Sequence, residues 1–549
     1  MLDVELIRPI PELLGSHAVR YGSKTAFRDD RLAVSYADLA QRTRRLAGHL
    51  VASGLAPGER VLVLMNNRVE VAECYLALTR ASVVGVCVNP LAATAELAHM
   101  IADSGAKWVI TDPEHLDQVR ELLADRPRSD ADGAGDDPVR IVLVGHGPVP
   151  DDLVPYDRLV TEEPDAAPRD DLGLDDVAWM LYTSGTTGRP KGVLLTQRSC
   201  LWVVASCWSP VAGLSAADTM LCGLPLFHSF ALVLCVLGVF GVGATEYILP
   251  KFSTSRVLDL LETGEYTVLP GVPTMFQYLI HGVNERPKVD YANSLRLCVS
   301  AGAIMAGSVN AEFEELFGVR LLDGYGITET STMVTMNSPD GGRKLGSCGL
   351  PLPGVSVRLV SPLTGEDVGT GEEGELWVSG PNVMVGYHRR AEATEEALRH
   401  GWYRTGDLAQ RDANGFLTIC GRIKELIIRG GENIYPAEIE EVLLSAEGVA
   451  DAAVIARKHA DLGEEPVAFV VPDGAGPLDC DALLELCRRR LSSFKVPADI
   501  VEIDAIPRTG SGKIMRFGLR DRDAGTAAPA AGPVPAPATA GPDSAAPAR

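Results

Sequence analysis

Along the chain to about residue 420, short apolar runs alternate with stretches whose apolar positions recur at helical spacing. Val61 to Met65, Val83 to Val88, Trp108 to Thr111 and Ile141 to Val144 have the length and composition of buried strands. Glu70 to Arg80 repeats apolar side chains at a period that suits a helix. This alternation predicts an α/β architecture, with βα-layered subdomains built on largely parallel sheets. The segments 125–138 and 165–176 lack apolar periodicity and read as solvated connectors. After Gly421 the rhythm changes to that of a compact α+β unit. A turn and strand run through Ile427, a helix starts at Pro436, strands follow at Ala452 to Ile455 and Val467 to Val471, and a helix covers Asp481 to Leu491. In the first of these helices Ile439, Val442 and Leu443 fall on one face. The pattern therefore divides the chain into a large domain over 1–423, a small one over 424–523 and an Ala/Pro-rich tail over 524–549. The tail has too little apolar surface to order itself and is expected to be disordered.

The run from Thr219 to Thr245 contains no formally charged residue and is long enough to consider as a membrane span. Pro225, His228 and Ser229 interrupt it, and its continuous apolar part, Phe230 to Ala244, is too short to cross a bilayer and suits a buried helix. The N-terminus carries Asp3 and Glu5 where an export signal needs basic and then apolar residues. No integral span and no export signal are expected. The 11 cysteines are scattered without a CxxC pair, so neither a zinc cluster nor a dithiol centre is signalled, and a cytoplasmic enzyme with reduced thiols is the economical reading. The formal net charge of −23 over 549 residues argues against nucleic acid or an anionic membrane as the main partner. An anionic ligand must then meet locally concentrated positive charge.

Such a place exists in Tyr182 to Gly192, YTSGTTGRPKG, directly after the apolar segment Val177 to Leu181. Closely spaced backbone N–H groups, hydroxyl donors from Thr183, Ser184, Thr186 and Thr187, and the mobile cation of Lys191 are what polyphosphate oxygens require. It is not a Walker loop, because Pro190 precedes Lys191 and Gly192 follows it; Gly512-Lys513 fails as well, with Pro507 at the first glycine position and Ile514 after the lysine. GxSxG is absent, which removes the main textual support for a nucleophile-elbow hydrolase.

Six stretches resemble, in order and spacing, the motifs of the adenylate-forming superfamily of acyl-CoA synthetases, nonribosomal-peptide adenylation domains and beetle luciferases. They are YTSGTTGRPKG (182–192), PLFHSF (225–230), DGYGITET (323–330), YRTGD (403–407), GRIKELIIRGGENIYPAEIE (421–440) and PRTGSGKIMR (507–516). PLFHSF and RGGENIYP are worded most like fatty-acyl and aryl-CoA ligases. The resemblance implies an ATP- and Mg2+-dependent enzyme that joins a carboxylic acid to CoA through an acyl-adenylate, the acid being hydrophobic. Two rival expectations stand beside it: transfer of the acyl group to the thiol of an acyl carrier protein, and a non-catalytic nucleotide-binding scaffold.

The same resemblance assigns site residues. Lys513 bridges the acid and the α-phosphate; Glu329 and Thr186 hold the magnesium; His228 stands between the acyl site and the thiol entrance. Thr183, Ser184, Gly185, Thr187, Gly188 and Lys191 cradle the phosphates. Gly302, Ala303, Asp323, Gly324, Tyr325, Gly326 and Thr328 surround the nucleotide, with Tyr325 against adenine, and Asp407 and Arg422 contact the ribose. Phe230, Leu234 and Met333 wall the acyl pocket together with Gly302 and Gly326. Ile304 stands where the family usually has proline. Lys424 is implied as the hinge of a mobile small domain whose Arg429, Gly430 and Gly431 hairpin meets CoA.

Overall fold

The computed structural model describes residues 2–124, 138–145, 147, 149–183, 190–284, 286, 291–430, 432–474, 476, 478–509 and 512–523. The tail and nearly all of the 125–138 connector lie outside them. Contacts divide the chain into two compact units, Met1–Leu426 with Arg508–Lys513, and Ile427–Pro507 with Ile514 onward. The division falls slightly beyond the expected boundary at 423, and the short Lys513 segment groups with the larger unit.

The larger unit holds two sheets of the kind the apolar alternation predicts. In one, six strands from Arg60–Leu64 to Val177–Thr183 run parallel, and Lys191–Thr196 and Gly386–Tyr387 close one edge antiparallel. In the other, Thr25–Arg28, Thr245–Ile248, Thr219–Cys222, Val268–Gly271, Leu297–Ser300 and Leu321–Tyr325 lie parallel in that spatial order. Strand residues alternate between faces, so Val61 and Val63 enter the largest apolar cluster while Leu62 and Leu64 enter a separate one under the helix Thr94–Ser104. The largest cluster also takes in Met220, Cys222 and Ile248 of the other sheet, so the two sheets share one core filled by the helices Ile10–Tyr21, Tyr36–Ala52 and Val69–Arg80.

The run read as a buried helix is one. Ser229 to Val242 is continuously helical, with a π-helical stretch at Leu232–Gly238, and Phe230 to Gly241 are all buried. Among the described residues no helix is long and apolar enough to cross a membrane. Two expectations change. The parallel pattern stops short of residue 420: Ser356–Val360, Glu373–Ser379, Leu398–Arg399, Trp402–Arg411 and Leu417–Arg422 form an antiparallel sheet. The connection 361–372 carries no helix and those at 400–401 and 412–416 are too short for a parallel crossover, while the longer 380–397 lends Gly386–Tyr387 to the other sheet before it returns. The acidic connector 165–176 is also less solvated than its composition suggests. Asp170 accepts two hydrogen bonds from Arg80, at 2.8 and 2.7 Å, and Leu172 is buried.

The smaller unit is the predicted α+β domain. Val449–His459 and Gly463–Pro472 form its long antiparallel pair, the hairpin Ile427–Arg429 and Glu432–Ile434 extends the sheet, and Asp499–Glu502 joins in parallel. Pro436–Leu444 and Cys480–Arg490 cover it, Ile439 and Leu443 pointing inward.

Candidate functional site

The strand Val177–Thr183 and its antiparallel partner Lys191–Thr196 pair Thr183 with Lys191, so the two ends of the glycine-rich motif are neighbours in a buried sheet. Ser184, Gly185, Thr186, Thr187 and Gly188 lie outside the described residues. Lys191 places its Nζ 5.1 Å from the ring centroid of Tyr387, whose backbone extends the same sheet. The Tyr387 hydroxyl donates to Glu329 Oε1 at 3.0 Å. Burial and the neighbouring Glu329 both push the Tyr387 phenol up, so it stays a donor. The cation expected at the phosphates, an aromatic ring and the carboxylate expected to bind the metal thus form one connected group.

Glu329 sits in the 3₁₀ turn Thr328–Thr330, after Leu321–Tyr325 has emerged from the parallel sheet. The chain reverses sharply here. Ser331 and Thr332 take φ of 50° and 83°, which a β-branched threonine tolerates poorly. The reversal brings the Thr332 carbonyl so near Gly326 that a Cβ there would lie 1.7 Å from its oxygen. Gly326 is thereby required for packing, a role distinct from the nucleotide contact the motif implied. The Thr328 hydroxyl lies 3.3 Å from that of Ser229, tying this turn to the helix that carries His228 and Phe230.

A second polar group forms on Asp407, which is buried in the antiparallel sheet opposite Arg422. Its Oδ2 accepts from the Tyr325 hydroxyl at 2.5 Å and its Oδ1 from Arg422 Nε at 3.0 Å. Burial, with Asp407 beside it, pushes the Tyr325 phenol well up, so the hydroxyl remains protonated. Three residues assigned to adenine and ribose therefore meet in one place. Asp323 is different: its carboxyl is buried, Oδ1 has no hydrogen-bond partner among the described residues, and burial pushes its pKa well up.

The Lys513 amide donates to Thr509 Oγ1 at 3.1 Å and its carbonyl accepts from the Thr509 amide. Val272 stands against both Gly512 and Gly302, so the lysine loop and the Ser300 to Met305 stretch share a wall. Ala303 is exposed. Burial holds the Lys513 ammonium below the ordinary lysine range, Arg422 adding to the effect and Asp407 and Glu329 opposing it.

The apolar side is built from a contiguous stretch. His228 caps the helix from Ser229, its Nδ1 accepting the Phe230 amide at 3.3 Å, which leaves the ring proton on Nε2. Burial, and secondarily Lys513, pull its pKa down to about 3. Phe230, Leu234 and Met333 are all buried in the same apolar cluster. Trp208 packs on Phe230 with ring centroids 6.2 Å apart.

Sequence reasoning missed Tyr387, Tyr403, Trp208 and Val272. Tyr403 was visible inside YRTGD, and its hydroxyl lies 3.4 Å from that of Tyr387. The others lie outside every motif, and only the fold brings them in. In the smaller unit Arg429 donates to the carbonyls of Phe494 and Val496, at 2.9 and 3.4 Å, so its guanidinium already has partners there. Gly430 has φ of 60° and ends the first strand of its hairpin; Gly431 lies outside the described residues. Lys424 is exposed in the 3₁₀ turn Ile423–Glu425.

The profile of the AMP-binding enzyme family matches residues 14–388, and that of the AMP-binding enzyme C-terminal domain matches 438–513. A feruloyl-CoA synthase from Amycolatopsis sp is 37% identical over 520 residues, covering 93% of this chain and 99% of that protein. A naringenin synthase from Pestalotiopsis fici is also 37% identical, over 530 residues, but these are 93% of this chain and only 19% of that much longer protein. Among solved structures, a benzoate CoA ligase from Burkholderia xenovorans LB400 superposes with a TM-score of 0.83 at 28% identity, covering 93% of this chain and all of that one.

Proposed function

This chain belongs to the AMP-binding enzyme family, and from that premise we propose that it is an AMP-forming acid:CoA ligase acting on a hydrophobic acid, aryl or fatty. The observation that carries the reading is the meeting of Lys191, Tyr387 and Glu329 on one side with Tyr325, Asp407 and Arg422 on the other, beside an apolar wall of Phe230, Leu234 and Met333. A carboxylate resists nucleophiles until its oxygen is made part of a good leaving group. ATP supplies that group: the carboxylate oxygen attacks the α-phosphorus, pyrophosphate departs, and the acyl-adenylate carries AMP as the group a thiol can displace. The two reacting anions repel, and Lys513 is the cation that holds them together as charge develops on the phosphate. Asp407 accepts ribose hydroxyls, with Arg422 fixing its orientation. His228, kept neutral by burial, adds no charge to an apolar pocket and leaves an Nε2–H facing away from its helix cap.

A hard cation wants oxygen donors plus phosphate oxygens, and Glu329, aligned by the Tyr387 hydroxyl, fits that requirement as the protein ligand, with Thr186 as the second. Bound there, Mg2+ would neutralise part of the polyphosphate charge. The hinge at Lys424 and an approach of CoA at the Arg429 and Gly430 hairpin complete the proposal. A relative named for feruloyl-CoA and a structural neighbour named for benzoate support an aryl acid, and the absence of charge on Phe230, Leu234 and Met333 supports either an aryl or a fatty one. The strong negative charge of the chain favours free CoA over an acidic carrier protein. The test is pyrophosphate release across hydroxycinnamic, benzoic, fatty and dicarboxylic acids, followed by thioester formation with CoA or with phosphopantetheinylated carrier proteins. Adenylation and CoA thioester formation with the apolar acids are expected; a preference for dicarboxylates, or adenylate consumed only by a carrier, would overturn the corresponding part.

A further inference from the structure

The ends of two neighbouring parallel strands and the helix above them hold three side chains that the proposed reaction does not use. Cys222 ends the strand Thr219–Cys222, Glu246 lies in Thr245–Ile248, and Cys235 is in the π-helical stretch Leu232–Gly238. The register pairs Met220 with Glu246 and Cys222 with Ile248, so Cys222 and Glu246 share a face two positions apart, the face that the helix covers. A ligand atom from each of the three lies within 4.8 Å of the others, and all three residues are 0% exposed. Both carboxyl oxygens of Glu246 are buried and, among the described residues, no N–H or O–H donor reaches them; the neighbouring Cys222 thiol is the group they face. A thiol is a weak donor, so the buried carboxyl keeps capacity for a stronger partner.

We propose that Cys222, Cys235 and Glu246 form a binding site for a thiophilic divalent cation of the zinc class. With Zn–S near 2.3 Å and Zn–O near 2.0 Å, a tetrahedral ion holds such donors roughly 3.5–3.8 Å apart, so donors lying within 4.8 Å of one another would draw together by at most about 1 Å. Two sulfurs select against Mg2+, which demands oxygen donors, so this site is separate in chemistry from the one at Glu329. Cys235 lies in the π-helical stretch that also carries Leu234 of the proposed acyl wall, and such rare stretches are frequent at functional sites. No CxxC spacing announces the cluster, because parallel strands and a covering helix assemble it from positions 222, 235 and 246. Being buried, the ion would enter during folding and pin together the strand and the helix that flank Pro225 to His228.

The full chain is grown with zinc or, separately, cobalt in the medium, purified without chelator, and assayed for metal content and visible absorption. About one ion per chain is expected, with thiolate-to-cobalt charge-transfer absorption in the cobalt protein. Cys222→Ala with Cys235→Ala should abolish both signals, Glu246→Gln should lower the metal content at least several-fold, and Cys420→Ser should leave both unchanged. A well-folded wild-type protein free of metal after either growth overturns the proposal, as does metal retained equally by the double variant. If the cysteine variants fail to fold, the wild-type cobalt spectrum decides: charge-transfer bands that Glu246→Gln alters support the site, and their absence rejects it.

Discussion

The two sides of the candidate site are made in opposite ways. On the nucleotide side, polar groups from positions 191, 325, 329, 387, 407 and 422 meet through short, specific contacts, each donor matched by an acceptor or a ring face. On the acyl side, one contiguous helix supplies His228, Phe230 and Leu234, and burial does the work that pairing does opposite. The same physical change, removal from water, has different outcomes. Asp407 is buried and keeps two partners, whereas His228 is half-buried and its ring is held neutral. A site that must gather anions pairs its charges, and one that must exclude them removes charge.

The sharpest test of that contrast is Lys513→Ala. Losing a preorganised donor to developing charge costs on the order of 100- to 1000-fold. Adenylate formation should fall by that much in a pyrophosphate-release assay while thioester formation from a supplied acyl-adenylate persists; equal losses in both steps would remove the lysine from the polar side's chemistry. Next in size is Asp407→Asn, which keeps the shape and removes the charge that Arg422 and Tyr325 address. A hydrogen bond to a charged group contributes about 1.5–3 kcal/mol, so the KM for ATP should rise roughly 10- to 100-fold. The KM for the acid should hardly move, and a parallel rise would mean that the two sides are not separable.

On the apolar side, Phe230→Leu should enlarge the wall beneath Trp208 without charging it. About tenfold of relative kcat/KM should shift toward bulkier acids, the range expected for a change of a methylene or so in a hydrophobic pocket. Unchanged ranking across the acid series would place Phe230 in the core only. The smallest effect is the absence of one. A histidine held to about 3 is neutral well above that pH, so the kcat/KM profile should show no acid limb from His228 between about pH 5 and 8, where free histidines titrate. His228→Gln should leave the profile's shape unaltered, and a limb abolished by that change would show that the ring titrates after all.

Much of this fold was legible because its physics is local. Apolar runs of strand length, helical periodicity from Glu70 to Arg80, and the uncharged but interrupted run ahead of Ala244 all report burial residue by residue. The strands at 449–459 and 463–472 proved longer than their apolar centres, because pairing carries on into the polar ends that each strand satisfies for the other. The antiparallel sheet of 356–422 was misread as more parallel layering, since a strand's own composition does not say which direction its neighbour runs. Of the candidate site, the residues inside motifs were named in advance, but not what each touches. Tyr325 was expected to face adenine, and its hydroxyl is held by Asp407.

The sequence by itself determined the layered α/β body, the separate α+β unit and the set of polar residues available for chemistry, because hydrophobic period, turn residues and motif order are properties of neighbours along the chain. Tertiary structure alone decided that Tyr387 joins Lys191 to Glu329, that Gly326 must lack a side chain, that Arg429 binds carbonyls of its own unit, and that Cys222, Cys235 and Glu246 meet. Each depends on a contact between residues distant in sequence, where the energy lies in register and burial and leaves no mark on the spacing of either partner.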